Sequence, residues 1–269
     1  MRLVKLGQNT EEEVVHALEL NMFEHMSYFP LRLSTMKVID APDLLIINSE
    51  LPSDTFNFVC RAKFEESEVD FGIKSAIAYF QSRQLPMAWW ISPSSQPDNL
   101  AERLAAHGLK HTEEELGMAL DLNKLRQNES LPTGLMIRRV TNADELDDYA
   151  AVIAANWSPP DTSVAKFYRQ AAEIAFRPES PIRFYIGYFN GEPVATSELF
   201  LSAGVAGIYC VATLKKFRNR GIGTAITLTP LVDAYKEGYQ TATLQASEAG
   251  KNIYSRLGFR QYCNFSVYQ

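Results

Sequence analysis

The stretch Gly207-Ile-Tyr-Cys-Val-Ala-Thr-Leu-Lys-Lys-Phe-Arg-Asn-Arg220, continued by Gly221-Ile-Gly-Thr-Ala-Ile226, decides the fold of this chain. Its segment 208–214 is apolar and rich in β-branched and aromatic residues, which predicts a buried strand. A basic turn follows, and glycines 221 and 223 open a helical pattern. The unpaired N–H groups and the dipole of a helix N-terminus attract anions, and glycine lets them approach closely. The stretch therefore predicts a site for a phosphate-bearing ligand.

The composition is that of a soluble globular protein, with 269 residues, 46% hydrophobic and 22% charged. The net charge of −6 argues against a nucleic-acid partner. Three widely spaced cysteines (Cys60, Cys210 and Cys263) and four unclustered histidines predict no disulfide framework and no metal site. No run approaches the roughly 20 apolar residues of a membrane span. We therefore expect a cytoplasmic protein that does not enter a membrane.

The alternation of helical and strand patterns predicts an α/β fold with a mixed sheet. Residues 123–134 are polar and carry both Pro and Gly, which indicates a linker. We place a domain boundary there and predict two domains, residues 1–127 and 128–269. In the second domain, strand 208–214, helix 221–237 and strand 241–245 predict a right-handed crossover between parallel strands. Asn190-Gly191 predicts a tight hairpin turn between two further strands.

Two motifs in this second half carry a family resemblance. Arg218-Asn-Arg-Gly221-Ile-Gly223 lies between a strand and a helix, and Tyr254-Ser-Arg-Leu-Gly258-Phe259 follows one strand later. In order and spacing, residues 135–269 resemble the GNAT acetyltransferase superfamily. The resemblance implies a central mixed sheet flanked by helices, acetyl-CoA as acyl donor, no metal, and direct transfer of the acyl group to an amine.

The resemblance also assigns roles to individual positions. It implies that the pantetheine arm of coenzyme A pairs with the strand before the turn and that the pyrophosphate lies on the turn. Ser247 stands where many members carry Asn, a departure that weakens a ligand role for its side chain. The cofactor-binding residues implied in this way are Val211, Thr213, Arg218, Asn219, Arg220, Gly221, Ile222, Gly223, Thr224 and Ser247.

Tyr254 and Glu198 are the predicted catalytic residues. The resemblance gives Tyr254 the role of general acid, which protonates the leaving thiolate. Glu198 interrupts an apolar strand and is our candidate for the general base or for acceptor binding, although strand alternation equally allows it to face solvent. For Cys210, on the neighbouring strand, we favour a packing role over covalent catalysis.

The first half carries a fainter copy of the same pattern. Leu100-Ala-Glu-Arg-Leu104-Ala-Ala-His-Gly108-Leu109 parallels Asn252–Phe259, with Leu104 in the place of the tyrosine, and no Arg-x-x-Gly-x-Gly occurs there. We therefore predict a tandem GNAT protein with a degenerate N-terminal half and one active site per chain. Of the adjacent pair Trp89 and Trp90, at least one is expected in the core, because neighbouring strand residues face opposite ways.

The predicted function is acetyl-CoA-dependent N-acetylation of a small-molecule amine. The alternative is a non-catalytic sensor that binds acyl-CoA without turnover. The acceptor, the length of the acyl group and the general base stay open, and so does assembly into a homodimer.

Overall fold

A computed structural model describes residues 3–125 and 131–269, so the predicted boundary between residues 127 and 128 lies outside the described residues. The helices are α1 (Glu11–Tyr28), α2 (Val69–Gln81), α3 (Leu100–Ala106), α4 (Ala143–Ala154), α5 (Thr162–Ala175), α6 (Ile222–Lys236) and α7 (Lys251–Leu257). The strands are β1 (Lys37–Asp40), β2 (Leu45–Asn48), β3 (Asn57–Cys60), β4 (Ala88–Ile91), β5 (His111–Asp121), β6 (Leu135–Arg139), β7 (Ile182–Phe189), β8 (Glu192–Ser202), β9 (Val205–Thr213), β10 (Thr241–Ala246) and β11 (Arg260–Tyr268).

The chain forms two compact units. Unit 1 comprises the residues up to Asn21 together with Gly117–Tyr262, and unit 2 comprises Met22–Leu116 and Cys263–Gln269. The end of β5 thus belongs to unit 1 and the end of β11 to unit 2. The compact units are therefore not two consecutive halves of the sequence. The division into domains 1–127 and 128–269 stays a prediction.

The sheet of unit 1 has the strand order β5-β10-β9-β8-β7-β6. The pairs from β6 to β9 are antiparallel, and β9 pairs with β10 in parallel, which confirms the predicted mixed sheet and the parallel pairing of these two strands. Asn190 and Gly191 both have positive φ values (50° and 87°), as the predicted hairpin turn requires.

Helices cover both faces of this sheet, as alternate residues of β7 demonstrate. Tyr185 donates a hydrogen bond to Asp233 of α6 (2.9 Å). Its neighbour Phe184 faces the other way and contacts the rings of Tyr149 of α4 and Tyr168 of α5. The face of β7 that carries Phe184 is therefore the α4–α5 face, and the face that carries Tyr185 is the α6 face.

Unit 2 contains a further set of strands and its own hydrophobic cluster. Strands β1 to β4 lie in order, followed by the end of β11 and the start of β5, and β3 pairs with β4 in parallel through α2. Trp89 and Leu104 are fully buried in one hydrophobic cluster with residues of α2. Trp89 confirms the expectation that at least one of the paired tryptophans lies in the core.

Strand β5 begins at His111, whereas the sequence pattern predicts a strand from residue 116 only. Residues 111–114 are exposed and include glutamates, which are uncommon in strands. Backbone pairing with the chain end extends the strand all the same, because Lys110 and Gln269 exchange two hydrogen bonds (2.7 and 2.9 Å).

Candidate active site

The central feature of unit 1 is the point where β9 separates from β10. In their parallel register, Ala206 is paired with Ala242 and Gly207 with Thr243. Beyond Gly207, β9 continues to Thr213 while it stays paired with β8 on its other side. The edge of β9 from Ile208 to Thr213, which includes the predicted ligand position Val211, is therefore available to an extended partner on the β10 side.

The turn after β9 leads directly into the N-terminus of α6. Gly221 is the N-cap residue with φ of +78°, and Asn219 also has a positive φ of 61°. No described backbone carbonyl accepts a hydrogen bond from the amides of Ile222, Gly223 or Thr224. Because the first turn of α6 contains no acidic residue, these amides form a site suited to an anion.

Three basic side chains of this turn have partners within unit 1. Lys216 forms an ion pair with Glu192 (2.5 Å), and Arg218 donates from Nε to the carbonyl of Thr213 (3.0 Å). The guanidinium of Arg220 lies 5.5 Å from the centre of the Phe217 ring. These contacts tie the turn to the preceding strands and keep positive charge near the N-terminus of α6.

Glu198 lies inside unit 1, and not on a solvent face. Its exposure is 2%, and it is paired with Phe184 on β7 and with Tyr209 on β9. The pairing with β9 shifts at this point, because Ser197 stands opposite a bulge at Cys210, whose φ is +50°. Ser197, the residue before Glu198, thus meets two residues of β9, and the bulge turns Cys210 towards the α4–α5 face.

Two buried tyrosines complete this region, and the sequence analysis missed them. Tyr149 and Tyr168 contact each other and Phe184, with ring centres 5.0–5.5 Å apart. Burial raises the pKa of both phenols well above the ordinary value, so both stay protonated and uncharged. Tyr149 Oη has no hydrogen-bond partner among the described residues. Tyrosines at helical spacing resemble ordinary core residues, so no local sequence signal marks them.

Cys210 contacts Tyr168 and lies close to Glu198 in the β8–β9 ladder. Its Sγ lies 3.5 Å from Tyr168 Oη, although the residue as a whole is exposed. Desolvation of the thiol group, and then the charge of Glu198, raise the pKa of the thiol far above its ordinary value. Because the thiolate is the nucleophilic form, this environment disfavours covalent catalysis by Cys210.

The Tyr254 motif forms α7, and one contact shows that α7 lies next to the glycine-containing turn before α6. A Cβ on Gly223 would lie 3.4 Å from Ile253 Cδ1, so the start of α7 packs against the first turn of α6. Tyr254 is 9% exposed and contacts Phe259, with ring centres 6.0 Å apart. A Cβ on Gly250 would lie 2.9 Å from the Tyr254 ring, so glycine leaves the space that this ring occupies.

Ser247 stands at the end of β10, and its side chain is exposed. Its carbonyl accepts hydrogen bonds from the amides of Gly250 (2.9 Å) and Lys251 (3.0 Å), which begin α7. Residues 3–125 and 131–269 contain no group of three or more His, Cys, Asp or Glu side chains placed to hold a metal ion. Within the same ranges, no helix combines the length and the apolar character that crossing a membrane requires.

Comparisons with known proteins agree with this geometry. Residues 180–261 match the model of the acetyltransferase (GNAT) domain, a range that includes β8, β9, α6, β10 and α7. No curated protein sequence matches the chain.

Solved structures match over most of the chain and support the fold. A GCN5-related N-acetyltransferase from Kribbella flavida is 20% identical, with a TM-score of 0.70 and coverage of 94% of each chain. One from Sphaerobacter thermophilus is 20% identical, with a TM-score of 0.61 and coverage of 86% of this chain and 81% of that one. A tandem GNAT protein from the clavulanic acid biosynthesis pathway is 13% identical, with a TM-score of 0.59 and coverage of 99% and 96%. The match to the acetyltransferase (GNAT) domain thus covers residues 180–261, and the solved structures show that the chain shares the fold of GNAT proteins over most of its length.

Proposed function

We propose that this protein is an acetyl-CoA-dependent N-acetyltransferase that moves an acetyl group to the amine of a small molecule by direct attack. One observation carries the proposal: the open edge of β9 from Ile208 to Thr213 leads into an acid-free helix N-terminus at Gly221. An extended arm that ends in phosphates matches this combination, because the edge offers backbone pairing and the helix offers unpaired amides.

The residues present fit acetyl-CoA. Backbone groups of Val211 and Thr213 would pair with the pantetheine arm, and the amides of Gly221 to Thr224 would hold the pyrophosphate, with Arg218 and Arg220 nearby. Ser247 would line the other side, at the end of β10. Bound acetyl-CoA supplies the acetyl thioester, and the protein supplies the pairing, the orientation and the proton transfers.

Glu198 is proposed as the group that binds the acceptor and takes its proton. An amine must lose a proton to become a nucleophile, and a carboxylate is a suitable acceptor for it. Glu198 lies beside Tyr209 and near the β9 bulge, where the open edge passes. The protonated phenols of Tyr149 and Tyr168 on the same face add hydrogen-bond donors without adding charge.

Tyr254 is proposed as the acid that protonates the thiolate released from the donor. A phenol with a pKa of about 10 can protonate a thiolate whose parent thiol has a pKa of about 8.5, although the transfer is slightly uphill. Its helix packs against the first turn of α6, next to the proposed pyrophosphate site.

A negatively charged group in an aromatic setting favours a positively charged acceptor. The ring of Phe184 lies opposite Glu198 on the neighbouring strand, and Tyr149 and Tyr168 pack on that ring. A carboxylate attracts an ammonium group, and aromatic faces add cation–π attraction. This supports a small aliphatic amine, and not a nucleic acid, as the acceptor.

Calorimetric titration with acetyl-CoA and a thiol-release assay over a panel of amines test the proposal. We expect binding by the wild type, by Tyr254→Phe and by Glu198→Gln, and thiol release by the wild type alone at full rate. Removing one proton-transfer group is expected to lower kcat by about 100-fold.

Two exposed positions provide matched controls. Tyr235→Phe and Glu179→Gln remove the same chemical groups at exposed sites and should leave both measurements unchanged. Absence of binding to acetyl-CoA and to free coenzyme A would refute the proposal. Tight binding without thiol release from any amine would support the acyl-CoA sensor instead.

Three further expectations remain proposals. The first half is proposed as a degenerate GNAT copy, a view supported by its own parallel crossover from β3 through α2 to β4. Location in the cytoplasm and assembly into a homodimer are tested by fractionation of cells and by sedimentation of the purified protein.

A further inference from the structure

One side chain of α1 lies at the branch point of β9 and β10. Asn21 is fully buried in unit 1. Its Nδ2 donates to the carbonyl of Ser202 (2.9 Å) and, more weakly, to that of Phe200 (3.4 Å), both on β8. Its Oδ1 accepts a hydrogen bond from Tyr209 Oη (2.7 Å) on β9. A single amide thus connects α1 to two neighbouring strands.

Gly207 makes this arrangement sterically feasible. A Cβ at this position would overlap both Asn21 Oδ1 and the ring of Tyr209, whose Cε2 would be 2.5 Å away. The Tyr209 ring therefore folds back over Gly207 to reach Asn21. Since Gly207 is also the last residue of β9 that pairs with β10, the Asn21–Tyr209 bond lies where the two strands part.

The hydrogen bond between Asn21 and Tyr209 lies next to Glu198, the proposed general base. Tyr209 is paired with Glu198 across the β8–β9 ladder, so the two side chains share the α4–α5 face. Asn21 therefore holds the residue that stands between the branch point and Glu198.

A buried polar residue at this position of α1 carries a cost in free energy. Leu18, one helical turn earlier, is fully buried and apolar. Burying an amide costs free energy unless its donors and acceptor are hydrogen-bonded, and here both strands provide the partners. An apolar side chain would pack here without orienting Tyr209, which indicates that orientation is what Asn21 contributes.

We propose that Asn21 is a positioning residue for acyl transfer: through Tyr209 it holds β9 apart from β10 and keeps the edge Ile208–Thr213 open for the donor. The inference rests on the function proposed above and deepens it, because it extends the site to a residue far outside the segment 135–269 that carries the family resemblance.

The test compares three variants that each remove one hydrogen-bonding group of unit 1. Asn21→Ala removes the amide, and Tyr209→Phe removes only the hydroxyl that reaches it. Thr241→Val is the matched control, because Thr241 donates a comparable buried bond to the carbonyl of Val4 (2.8 Å) without reaching Tyr209. The readouts are the thermal midpoint, the Kd for acetyl-CoA from calorimetry, and kcat/KM with the best amine.

We expect all three variants to lower the thermal midpoint. Only Asn21→Ala and Tyr209→Phe should also weaken acetyl-CoA binding and lower kcat/KM, each by roughly 10-fold, the effect of one lost hydrogen bond. The double variant should lose little more than either single one, because both changes remove the same bond.

Three outcomes are distinguishable from this result. If Thr241→Val lost as much affinity for acetyl-CoA, Asn21 would contribute only to the general stability of unit 1, and the inference would be overturned. Unchanged Kd and kcat/KM in Tyr209→Phe would overturn it as well, and this variant decides the matter if Asn21→Ala fails to fold. A wild type that binds no acetyl-CoA would refute the proposed function itself, and the inference with it.

Discussion

In each unit a parallel pair of strands is joined through one helix, β9–α6–β10 in unit 1 and β3–α2–β4 in unit 2. The helix starts differ in charge: α6 follows a basic turn and has no acid in its first turn, whereas α2 has Glu68 as N-cap residue and Asp70 in its first turn. Acidic side chains at this place would repel a phosphate.

The backbone groups of the two turns differ as well. Before α2, the carbonyl of Glu65 accepts the amides of Glu68 (2.9 Å) and Val69 (3.1 Å), and the ring of Phe64 lies against Gly72. The first strands of the two pairs differ too. Strand β3 ends one residue after its last pair with β4, whereas β9 continues from Ile208 to Thr213 after its last pair with β10. The same crossover therefore supports an anion site in one unit and a closed, internally paired turn in the other.

Gly223→Asp should give the largest effect, because it places a carboxylate at the second helical position of α6, where α2 carries Asp70. We expect acetyl-CoA affinity to fall by about 100-fold, through charge repulsion and loss of close approach. Calorimetry measures the change, with Ala151→Asp on the exposed side of α4 as a control for added charge. Wild-type affinity in Gly223→Asp would contradict the assignment of the α6 N-terminus as the phosphate site.

Gly221→Ala is expected to rank second. The residue has φ of +78°, whereas its counterpart Glu68 has φ of −111°, so only the first position disfavours an L side chain. The substitution should cost about 1 kcal/mol in the free energy of unfolding and weaken acetyl-CoA binding by roughly 10-fold. Glu68→Ala, measured in the same denaturation and binding experiments, should leave affinity unchanged; loss of affinity there would place the cofactor in unit 2.

Gly250→Ala should affect turnover more than binding. The new methyl group would displace the Tyr254 ring, whereas the counterpart of this tyrosine in α3 is the core residue Leu104. We expect kcat to fall by about 10-fold with little change in the Kd for acetyl-CoA, since a displaced acid donates its proton less effectively. Equal losses in kcat and in affinity would instead assign Tyr254 to cofactor binding.

Asp70→Asn should give the smallest effect, and one confined to stability. A hydrogen bond from His107 (2.8 Å), together with Arg103, lowers the pKa of Asp70. A lowered folded-state pKa stabilises the protein above the unfolded value of about 4, and that stabilisation is lost as the pH falls through the folded-state pKa. The thermal midpoints of wild type and variant should therefore differ slightly at neutral pH and converge in strong acid, with acetyl-CoA affinity unaffected throughout.

Much of unit 1 could be predicted from local patterns, because its turns need special residues. The glycines at 191, 221 and 258 all adopt positive φ, and each was part of a predicted turn or motif. The parallel crossover followed from a strand, a helix and a strand in succession. The polar start of β5 was missed, because its pairing with the chain end leaves no mark in the local sequence.

The sequence by itself indicated the resemblance to GNAT proteins and the position of the proposed phosphate site, since a basic turn with Gly221 and Gly223 before a helix has few alternatives. It did not decide whether Glu198 faces the core or solvent, and only the tertiary structure showed that this residue is buried. The structure alone also brought Tyr149, Tyr168 and Asn21 to this region, because their contacts join residues far apart in the chain. Cys210 illustrates the physical reason: its positive φ comes from a register shift between two strands, which no single strand encodes.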